Sequence, residues 1–175
     1  MPRKRSSSPT ISRSKGTRTY LSRHEPLGYE CPFCQLATGA DTDRSEQRHI
    51  VERTSSTLTL VSPRFWPNNK GAVVVVPLEH HENLYELPDQ LGAAVHSAVR
   101  RAAIALKRAY GCEGTSTRQH NEPAGGQDVW HFHVHVYPRY EGDNLYGSQL
   151  GGWLDKDEMA AYADRLRSSL PEREA

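Results

Sequence analysis

Residues 130–136 read Trp-His-Phe-His-Val-His-Val, and this alternation constrains the fold more than any other part of the chain. Successive side chains of a β-strand point to opposite faces, so the pattern predicts a strand over residues 129–137. Its apolar face is predicted to be buried and consists of Trp130, Phe132, Val134 and Val136. Its other face carries three imidazoles about 6.6 Å apart, from His131, His133 and His135.

A row of three histidines is not a packing motif, because grouped imidazoles repel one another when charged and each needs a hydrogen-bond partner. Besides a catalytic role, two interpretations of the three histidines stay open at this point. The three side chains could simply face solvent. They could also form a three-histidine metal site of the kind that catalytic zinc enzymes use, although a straight row at this spacing suits a tetrahedral ion poorly.

The rest of the chain predicts an α+β domain. Strands are predicted at residues 48–53, 57–61, 72–76 and 115–120, and helices at residues 88–110 and 155–170. The β-branched run at 72–76 predicts a strand that is covered on both faces or lies at a dimer contact. Because most connections are too short for parallel crossovers, we expect a largely antiparallel sheet of about five strands, one long helix and a short C-terminal helix.

Charge is concentrated at the start of the chain. Residues 1–24 contain seven Lys or Arg residues and no acid, whereas the net charge of the whole chain is only +1. We therefore predict a basic, disordered tail over residues 1–24 and a catalytic domain over residues 25–175. The tail would be a solvated arm, or it would attract nucleic acid or another polyanion.

The sequence also bears on location. No apolar run approaches the ~18 residues that span a membrane, and the basic head is not followed by the apolar segment of a signal peptide. The cysteines are odd in number, at positions 31, 34 and 112. A chain of this kind is expected in a reducing cytoplasm, with no membrane partner.

Several motifs together resemble the histidine-triad (HIT) family. The run His-Phe-His-Val-His-Val-Tyr at 131–137 fits its triad, with Gly126-Gln127 before it and Pro138-Arg139 after it. Residues 70–80 are similar to the family's glycine-bearing strand that ends in Pro-x-x-His, and Asn121 lies where the family has an asparagine near the phosphate. The resemblance covers roughly residues 29–147.

The resemblance implies a homodimer that binds a purine nucleotide and forms a nucleotidyl-histidine intermediate at the α-phosphate. His133 would be the nucleophile and His135 would contact the α-phosphate. Gln127 would lie near the scissile bridge, and Asn121 and Gly126 near the phosphate. Elementary chemistry agrees, because a neutral imidazole is a competent nucleophile near pH 7 and backbone N–H groups of a glycine-rich turn can hold an anion.

Two positions depart from the family pattern. Asp128 stands where many members have Ser or Thr to assist the leaving group. An acid there would repel a phosphate, or it would protonate or orient the leaving group. Ala72 stands where many members have a histidine that supports the triad, so the first triad histidine needs another partner.

Zinc is one such partner. Cys31 and Cys34 form a C-x-x-C, which alone is compatible with structural zinc, a redox pair or two buried thiols. The zinc-bearing branch of the family completes the pair with two histidines, which by position are His80 and His131. His81 competes with His80, but adjacent strand residues face opposite sides, so only one should bind. The resemblance thus implies a structural Zn²⁺ site.

The nucleoside is expected in the loop at residues 63–70. Phe65 or Trp66 could stack on a base, and Asn68 or Asn69 could bind a ribose diol. Alternatively, this is a turn with an aromatic side chain packed into the core or a dimer.

Three functions follow from these residues. The first is a nucleotide hydrolase or nucleotidyltransferase acting on a dinucleoside polyphosphate, a nucleoside phosphoramidate or an adenylylated conjugate. The second, favoured by the departures at Asp128 and Ala72, is a nucleotide-binding sensor with little turnover. The third is an enzyme that removes adenylate from DNA, supported by the basic tail alone.

Overall fold

The protein folds into an antiparallel sheet with helices packed against it, in a computed structural model that describes residues 23–149 and 151–172. The strands are β1 (Ile50–Arg53), β2 (Thr57–Val61), β3 (Arg64–Phe65), β4 (Val73–Pro77), β5 (Gly114–Gln119), β6 (Val134–Arg139) and β7 (Gly152–Trp153). The α-helices are α1 (Pro32–Ala37), α2 (Asp89–Tyr110) and α3 (Lys156–Arg167), and single 3-10 turns lie at Gln47–His49, Leu84–Glu86 and Pro123–Gly125. Five strands form one sheet in the order β1-β2-β4-β6-β5, and β3 pairs with β7. The predicted α+β class is confirmed.

Strand β4 is the centre of the sheet and is buried along its whole length. Val73 and Val75 face α2 and α3 in the larger core, whereas Val74 and Val76 face α1 in a second apolar cluster. The valine run is therefore covered on both faces, as its β-branched composition predicts. This double coverage fixes the position of β6, which pairs with β4 on one side and with β5 on the other.

Helix α2 packs a face of small residues on the sheet. Its buried positions recur at three- and four-residue intervals, which brings one stripe of the helix to the core. Gly111 ends the helix with φ of 65° in the left-handed region, where glycine carries no side-chain penalty. The predicted helix and its glycine cap are both confirmed.

The strand at the alternating histidines is shorter than the alternation predicts. Strand β6 begins at Val134 instead of residue 129 and continues through Pro138 to Arg139. Before it, the N–H of His131 donates to the carbonyl oxygen of Val129 at 2.8 Å, which turns the chain tightly. Pro138 is tolerated because the pairing with β4 has already ended at Val136, and β5 alone lies beside it.

Two other local predictions need correction. The C-x-x-C stretch, predicted as a turn, is the start of helix α1: Cys31 is its N-cap and Pro32 occupies its first position. The loop at residues 63–70 contains the short strand β3, which no local pattern indicated.

The predicted tail lies outside the described residues except for Arg23 and His24. His24 contacts the domain, because its N–H donates to Glu82 at 2.8 Å and its ring stacks on Trp130. Within the described part of the chain, no helix has the length and apolar character needed to cross a bilayer.

Candidate active site and metal centre

Cys31, Cys34, His80 and His131 come together at one end of the sheet. One ligand atom from each lies within 4.8 Å of all the others. The Sγ atom of Cys31 lies 3.3 Å from Nδ1 of His131, and Sγ of Cys34 lies 3.3 Å from Nδ1 of His80. Four donors around a tetrahedral zinc ion lie about 3.5 Å from one another, given metal–ligand bonds of about 2.0–2.3 Å. The donor set and its spacing therefore fit zinc.

Hydrogen bonds prepare the two imidazoles of this cluster as ligands. Nε2–H of His131 donates to the carbonyl oxygen of Pro77 at 3.0 Å, and Nε2–H of His80 donates to Glu25 at 3.1 Å. Each bond leaves Nδ1 with a free lone pair, as in metal sites where a carbonyl or carboxylate orients the histidine. Burial lowers the pKa of His131 to about 4, so this ring is neutral and able to bind a cation.

The thiol of Cys31 shows what a cation would supply. Burial raises the pKa of the Cys31 thiol to about 12, so it stays protonated without a positive partner. A zinc ion bound here would hold the thiolates and fix the start of the segment that leads into β6.

His133 lies next to this cluster but has different partners. Its Nδ1–H donates to the carbonyl oxygen of His131 at 2.8 Å, so Nε2 carries the free lone pair. The side chain is only 2% exposed, and burial lowers its pKa from the ordinary 6.5. The ring of Phe33 contacts it at a centroid distance of 5.5 Å. The result is a neutral, oriented imidazole.

His135 packs beside His133, with ring centroids 5.0 Å apart. Burial, together with the neighbouring cations and imidazoles, lowers the pKa of His135 to about 3. Its Nδ1 atom is buried and has no hydrogen-bond partner among the described residues. A buried polar atom of this kind costs stability unless a ligand or another polar group meets it.

Asp128 faces Nε2 of His133. Its Oδ1 atom lies 3.9 Å from Nε2 of His133, and its Oδ2 atom accepts a hydrogen bond from Nη1 of Arg64 at 3.2 Å. Both members of the Arg64–Asp128 pair are exposed, so the pair itself contributes little stability. It can open without disturbing the fold.

A cavity of about 500 Å³ opens onto His133 and His135. This volume is in the range of small-molecule binding sites. Apolar side chains of α1 and β4 line one part of it, namely Phe33, Leu36 and Val74. The guanidinium of Arg44 lies 4.3 Å from the ring centroid of Trp153 at its wall. The cavity thus offers an apolar, aromatic-lined space beside two neutral imidazoles.

The comparisons with known proteins agree with this geometry. The HIT domain family model matches residues 46–142, which is more than half of the chain. The chain belongs to the HIT family.

Related HIT proteins have varied names. An uncharacterized HIT-like protein of Methanocaldococcus jannaschii is 39% identical over 115 residues, covering 65% of this chain and 81% of the relative. An adenylylsulfatase of Arabidopsis thaliana is 31% identical and covers 85% and 75%. An adenosine 5'-monophosphoramidase of Schizosaccharomyces pombe is 26% identical and covers 80% and 98%. Some members of the family are therefore named as hydrolases.

Solved HIT structures share the fold. A HIT-like protein of Bartonella henselae superposes with a TM-score of 0.70 at 24% identity, covering 81% of this chain and 98% of that one. A zinc-bound histidine-triad protein of Mycobacterium smegmatis has a TM-score of 0.66 at 25% identity, with coverage of 80% and 92%. A HIT protein can thus hold zinc, and this chain has a cluster of suitable donors.

Gln127, predicted near the scissile bridge, and Asn121, predicted near the phosphate, make other contacts in the structure. Gln127 is buried, and its amide binds the backbone at Glu122, Glu82 and Val129. Asn121 accepts from the N–H of Leu84 and pairs with Gln119. In this structure both side chains hold the loop before β6 in place, and neither lines the cavity at His133.

The predicted nucleoside loop is only partly at the site. Asn69 is fully buried and donates to Pro138 and to Asp143, while Asn68 donates to the backbone of Asp143. The structure does not bring these two amides to the histidine cavities. Trp66 packs edge-on against Tyr137 and, with Gly126, lines a smaller cleft that also reaches His135.

Several side chains around the histidines were not singled out from the sequence. Phe33 lies inside the C-x-x-C motif, but nothing in the motif indicates that its ring contacts His133. Arg64 stood in the predicted loop, yet only the fold brings it to Asp128. Two further segments add to the lining, Arg118 and His120 at the end of β5 and Trp153 in β7, and no local pattern pointed to them.

Proposed function

We propose that this HIT protein is a nucleotide hydrolase that acts at the α-phosphate of a purine nucleotidyl substrate through a covalent intermediate on His133. The observation that carries the proposal is the hydrogen bond from Nδ1–H of His133 to the carbonyl oxygen of His131 at 2.8 Å. It leaves Nε2 as the nucleophilic atom at a cavity large enough for a nucleoside. The names of two relatives, an adenylylsulfatase and a phosphoramidase, support chemistry of this class.

The proposed reaction has two displacements. Nε2 of His133 forms a bond to the α-phosphorus, and the bond from phosphorus to the leaving group breaks with its electron pair. The bond from Nδ1–H to the backbone carbonyl then stabilises the positive charge that develops on the ring. His135 packs beside His133 and lines the cavity, and its ring would donate to an α-phosphate oxygen. Water next displaces the histidine and releases a nucleoside monophosphate; another acceptor in its place would make the enzyme a transferase.

We further propose that Cys31, Cys34, His80 and His131 hold one structural Zn²⁺. When bound, the ion would fix the imidazole of His131, whose carbonyl oxygen orients the nucleophile. With four protein ligands the ion has no open position for an activated water, so its role would be structural.

We also propose a homodimer, on the resemblance and on the position of β5 at an edge of the sheet. Light scattering of the purified protein measures this directly, and a monomer at all concentrations would contradict it.

A panel of nucleotidyl substrates tests the proposed activity. Purified protein is incubated with a dinucleoside polyphosphate, a nucleoside phosphoramidate and a nucleotidylated peptide, each with a purine and with a pyrimidine base, and nucleoside monophosphate is measured by chromatography. His133→Asn is the test variant. His96→Asn, on the exposed face of α2, is the matched control. Release of adenylate by the wild type and by the control, but not by His133→Asn, supports the proposal.

The second candidate is a nucleotide-binding sensor. The observation in its favour is Asp128, a carboxylate 3.9 Å from the proposed nucleophilic atom. Tight nucleotide binding without turnover of any substrate in the panel would support the sensor and contradict the enzyme.

A further inference from the structure

A second cleft lies on the far side of the Arg64–Asp128 pair. Its volume is about 180 Å³, below the range of about 300–1,000 Å³ that whole small-molecule ligands occupy, so it accommodates a small group. The two spaces share His135 and the ion pair as a common wall. A phosphoryl group at the histidines would therefore have the large cavity on one side and the small cleft on the other. The lining of the cleft is formed by Arg64, Trp66, Arg118, His120, Gly126, Asp128, His135 and Tyr137.

The two spaces differ in charge. The lining of the large cavity has more acids than arginines: Glu30, Asp41, Asp43 and Asp128 against Arg44 and Arg64. In the small cleft the balance is reversed, because Arg64 and Arg118 face Asp128, which is the one acid among the described residues that line it. That acid already pairs with Arg64 at 3.2 Å. The positive charge of Arg118 is thus left uncompensated by any lining acid.

Arg118 is held by aromatic rings instead of by an acid. Its guanidinium lies over the rings of Trp66, Tyr137 and Tyr146 at 5.5, 5.5 and 4.5 Å. No carboxylate in the described part of the chain forms an ion pair with it. Aromatic faces position a guanidinium without neutralising it. A positioned, unneutralised arginine is suited to bind an oxoanion.

His120 adds an oriented imidazole to the same cleft. Its Nδ1–H donates to the carbonyl oxygen of Gly125 at 2.6 Å, which fixes the ring against the glycine-rich turn. That bond leaves the lone pair on Nε2, so His120 shapes the cleft while the guanidiniums of Arg64 and Arg118 are the groups that favour an anion there.

We infer that this cleft binds the leaving group of the substrate and that the leaving group is an oxoanion, sulfate or phosphate, joined to the α-phosphate as an anhydride. The inference rests on the proposed function and names its substrate class. A neutral amine leaving group, as in a phosphoramidate, would gain nothing from Arg118 and would need a proton from an acid.

An anionic leaving group would explain why Asp128 can stand where many family members have Ser or Thr. Asp128 accepts a hydrogen bond from Arg64 at 3.2 Å, whereas a general acid would have to give the leaving group a proton. An anhydride needs none: the α-phosphorus forms a bond to Nε2 of His133, the bridging P–O bond breaks, and the oxoanion leaves with the electron pair. Asp128 would act as a stand-in anion that holds Arg64 until the substrate displaces it, which lets the guanidinium bind the departing oxyanion.

The experiment compares three adenylyl substrates with full-length protein: adenosine 5'-phosphosulfate, ADP and adenosine 5'-phosphoramidate. The first two distinguish sulfate from phosphate as leaving group, and the third has an amine. The measured quantity is the ratio of kcat/KM for each anhydride to that for the phosphoramidate. Arg118→Gln is the test variant, and Arg108→Gln, exposed near the end of α2, removes the same charge elsewhere.

We expect the wild type to prefer at least one anhydride. Arg118→Gln should lower the ratio by about tenfold to a hundredfold, the effect of losing a hydrogen bond to a charged group. Arg108→Gln should leave it unchanged, and Arg118→Lys, which keeps the charge, should restore part of the loss. Unchanged melting of Arg118→Gln shows that the fold is intact.

The contradicting results separate this inference from the proposed function. A wild-type preference for the phosphoramidate, or an equal ratio in the wild type and Arg118→Gln, overturns the anionic leaving group while the nucleotide hydrolase stands. Absence of turnover with every substrate overturns the hydrolase. Calorimetry on His133→Asn then decides the cleft alone: it should bind adenosine 5'-phosphosulfate more tightly than the phosphoramidate, and equal affinities would refute the oxoanion site.

Discussion

His131 and His133 are separated by one residue, yet the structure gives them opposite kinds of surroundings. The ring of His131 has Nε2 bound to a backbone carbonyl and Nδ1 among two thiols and a second imidazole. The ring of His133 has Nδ1 bound to a backbone carbonyl and Nε2 facing Asp128 at a cavity. His131 is thus enclosed by groups that can bind a metal ion, whereas His133 faces a cavity that is open to a substrate.

The comparison shows that the second nitrogen decides the chemistry of each histidine. A carbonyl oxygen can accept only from N–H, so it fixes which nitrogen keeps the lone pair. At His131 the remaining nitrogen meets soft donors that would share a metal ion. At His133 it meets a space that a phosphoryl group could fill. The link between the two is the His131 carbonyl oxygen, which orients His133.

The largest effect is expected on the reaction side. His133→Asn should lower turnover by at least about a thousandfold, because a covalent nucleophile is lost. Nucleotide affinity should largely survive, since the cavity lining is unchanged. Steady-state kinetics and calorimetry on the same preparation measure the two quantities. Turnover within tenfold of the wild type would contradict the assignment of this histidine.

The next largest effect is expected on the metal side. Cys31→Ser should release zinc and cost on the order of 3 kcal/mol of stability, the scale of a lost structural metal. For a domain of this size that corresponds to roughly 6–12 °C in melting temperature. Cys112→Ser, a buried cysteine outside the cluster, is the matched control. Zinc well below one equivalent in the wild type, with no stability change in Cys31→Ser, would show that the thiols only pack.

The pH dependence of activity tests whether the imidazoles at the cavity stay neutral in acid. Burial lowers the pKa of His133, and it lowers the pKa of His135 to about 3. A lowered pKa keeps the imidazole neutral to more acid pH, so the acid limb of the kcat/KM profile should lie below the ordinary value of 6.5. Rates are measured from about pH 5 to 8, with zinc content checked at each pH. A loss of activity centred near pH 6.5 would mean that the nucleophile is exposed to solvent.

The smallest effect is expected from a neighbouring histidine. His80→Gln should weaken zinc binding, because its Nδ1 lies 3.3 Å from Sγ of Cys34. His81→Gln should leave zinc content unchanged, since His81 is not a member of the four-residue cluster. Elemental analysis of both variants tests the contrast. Equal zinc loss in the two would indicate that either histidine can serve as ligand.

Much of the fold was accessible from sequence because its strongest signals are periodic. The valine run predicted a strand covered on both faces, and the stripe of α2 with Gly111 predicted the long helix and its end. The predicted length of β6 was wrong, because alternation alone does not reveal that the N–H of His131 donates to the carbonyl oxygen of Val129. That bond lies in a turn, and side-chain alternation is equally compatible with an extended chain.

The candidate site was less accessible where it depends on distant contacts. Asn69 looked available for a ribose, but it is buried by bonds to Asp143, which is far along the chain. Arg118 and Trp153 carried no local signal at all, since strand pairing and the ribbon of β3 and β7 place them. His131, His133 and His135 could be predicted as site residues from the sequence because they alternate within a single short segment.

An intact-mass measurement of the nucleotidyl adduct tests directly whether His133 forms a covalent bond to the substrate. Protein is mixed with an adenylyl substrate, quenched rapidly under conditions that preserve phosphoramidate bonds, and mapped by peptide fragmentation. If His133 is the nucleophile, the mass should increase by one adenylyl group, located on His133 and absent from His133→Asn. An adduct on any other residue, or turnover with no adduct at the shortest times and lowest temperatures, would contradict this assignment.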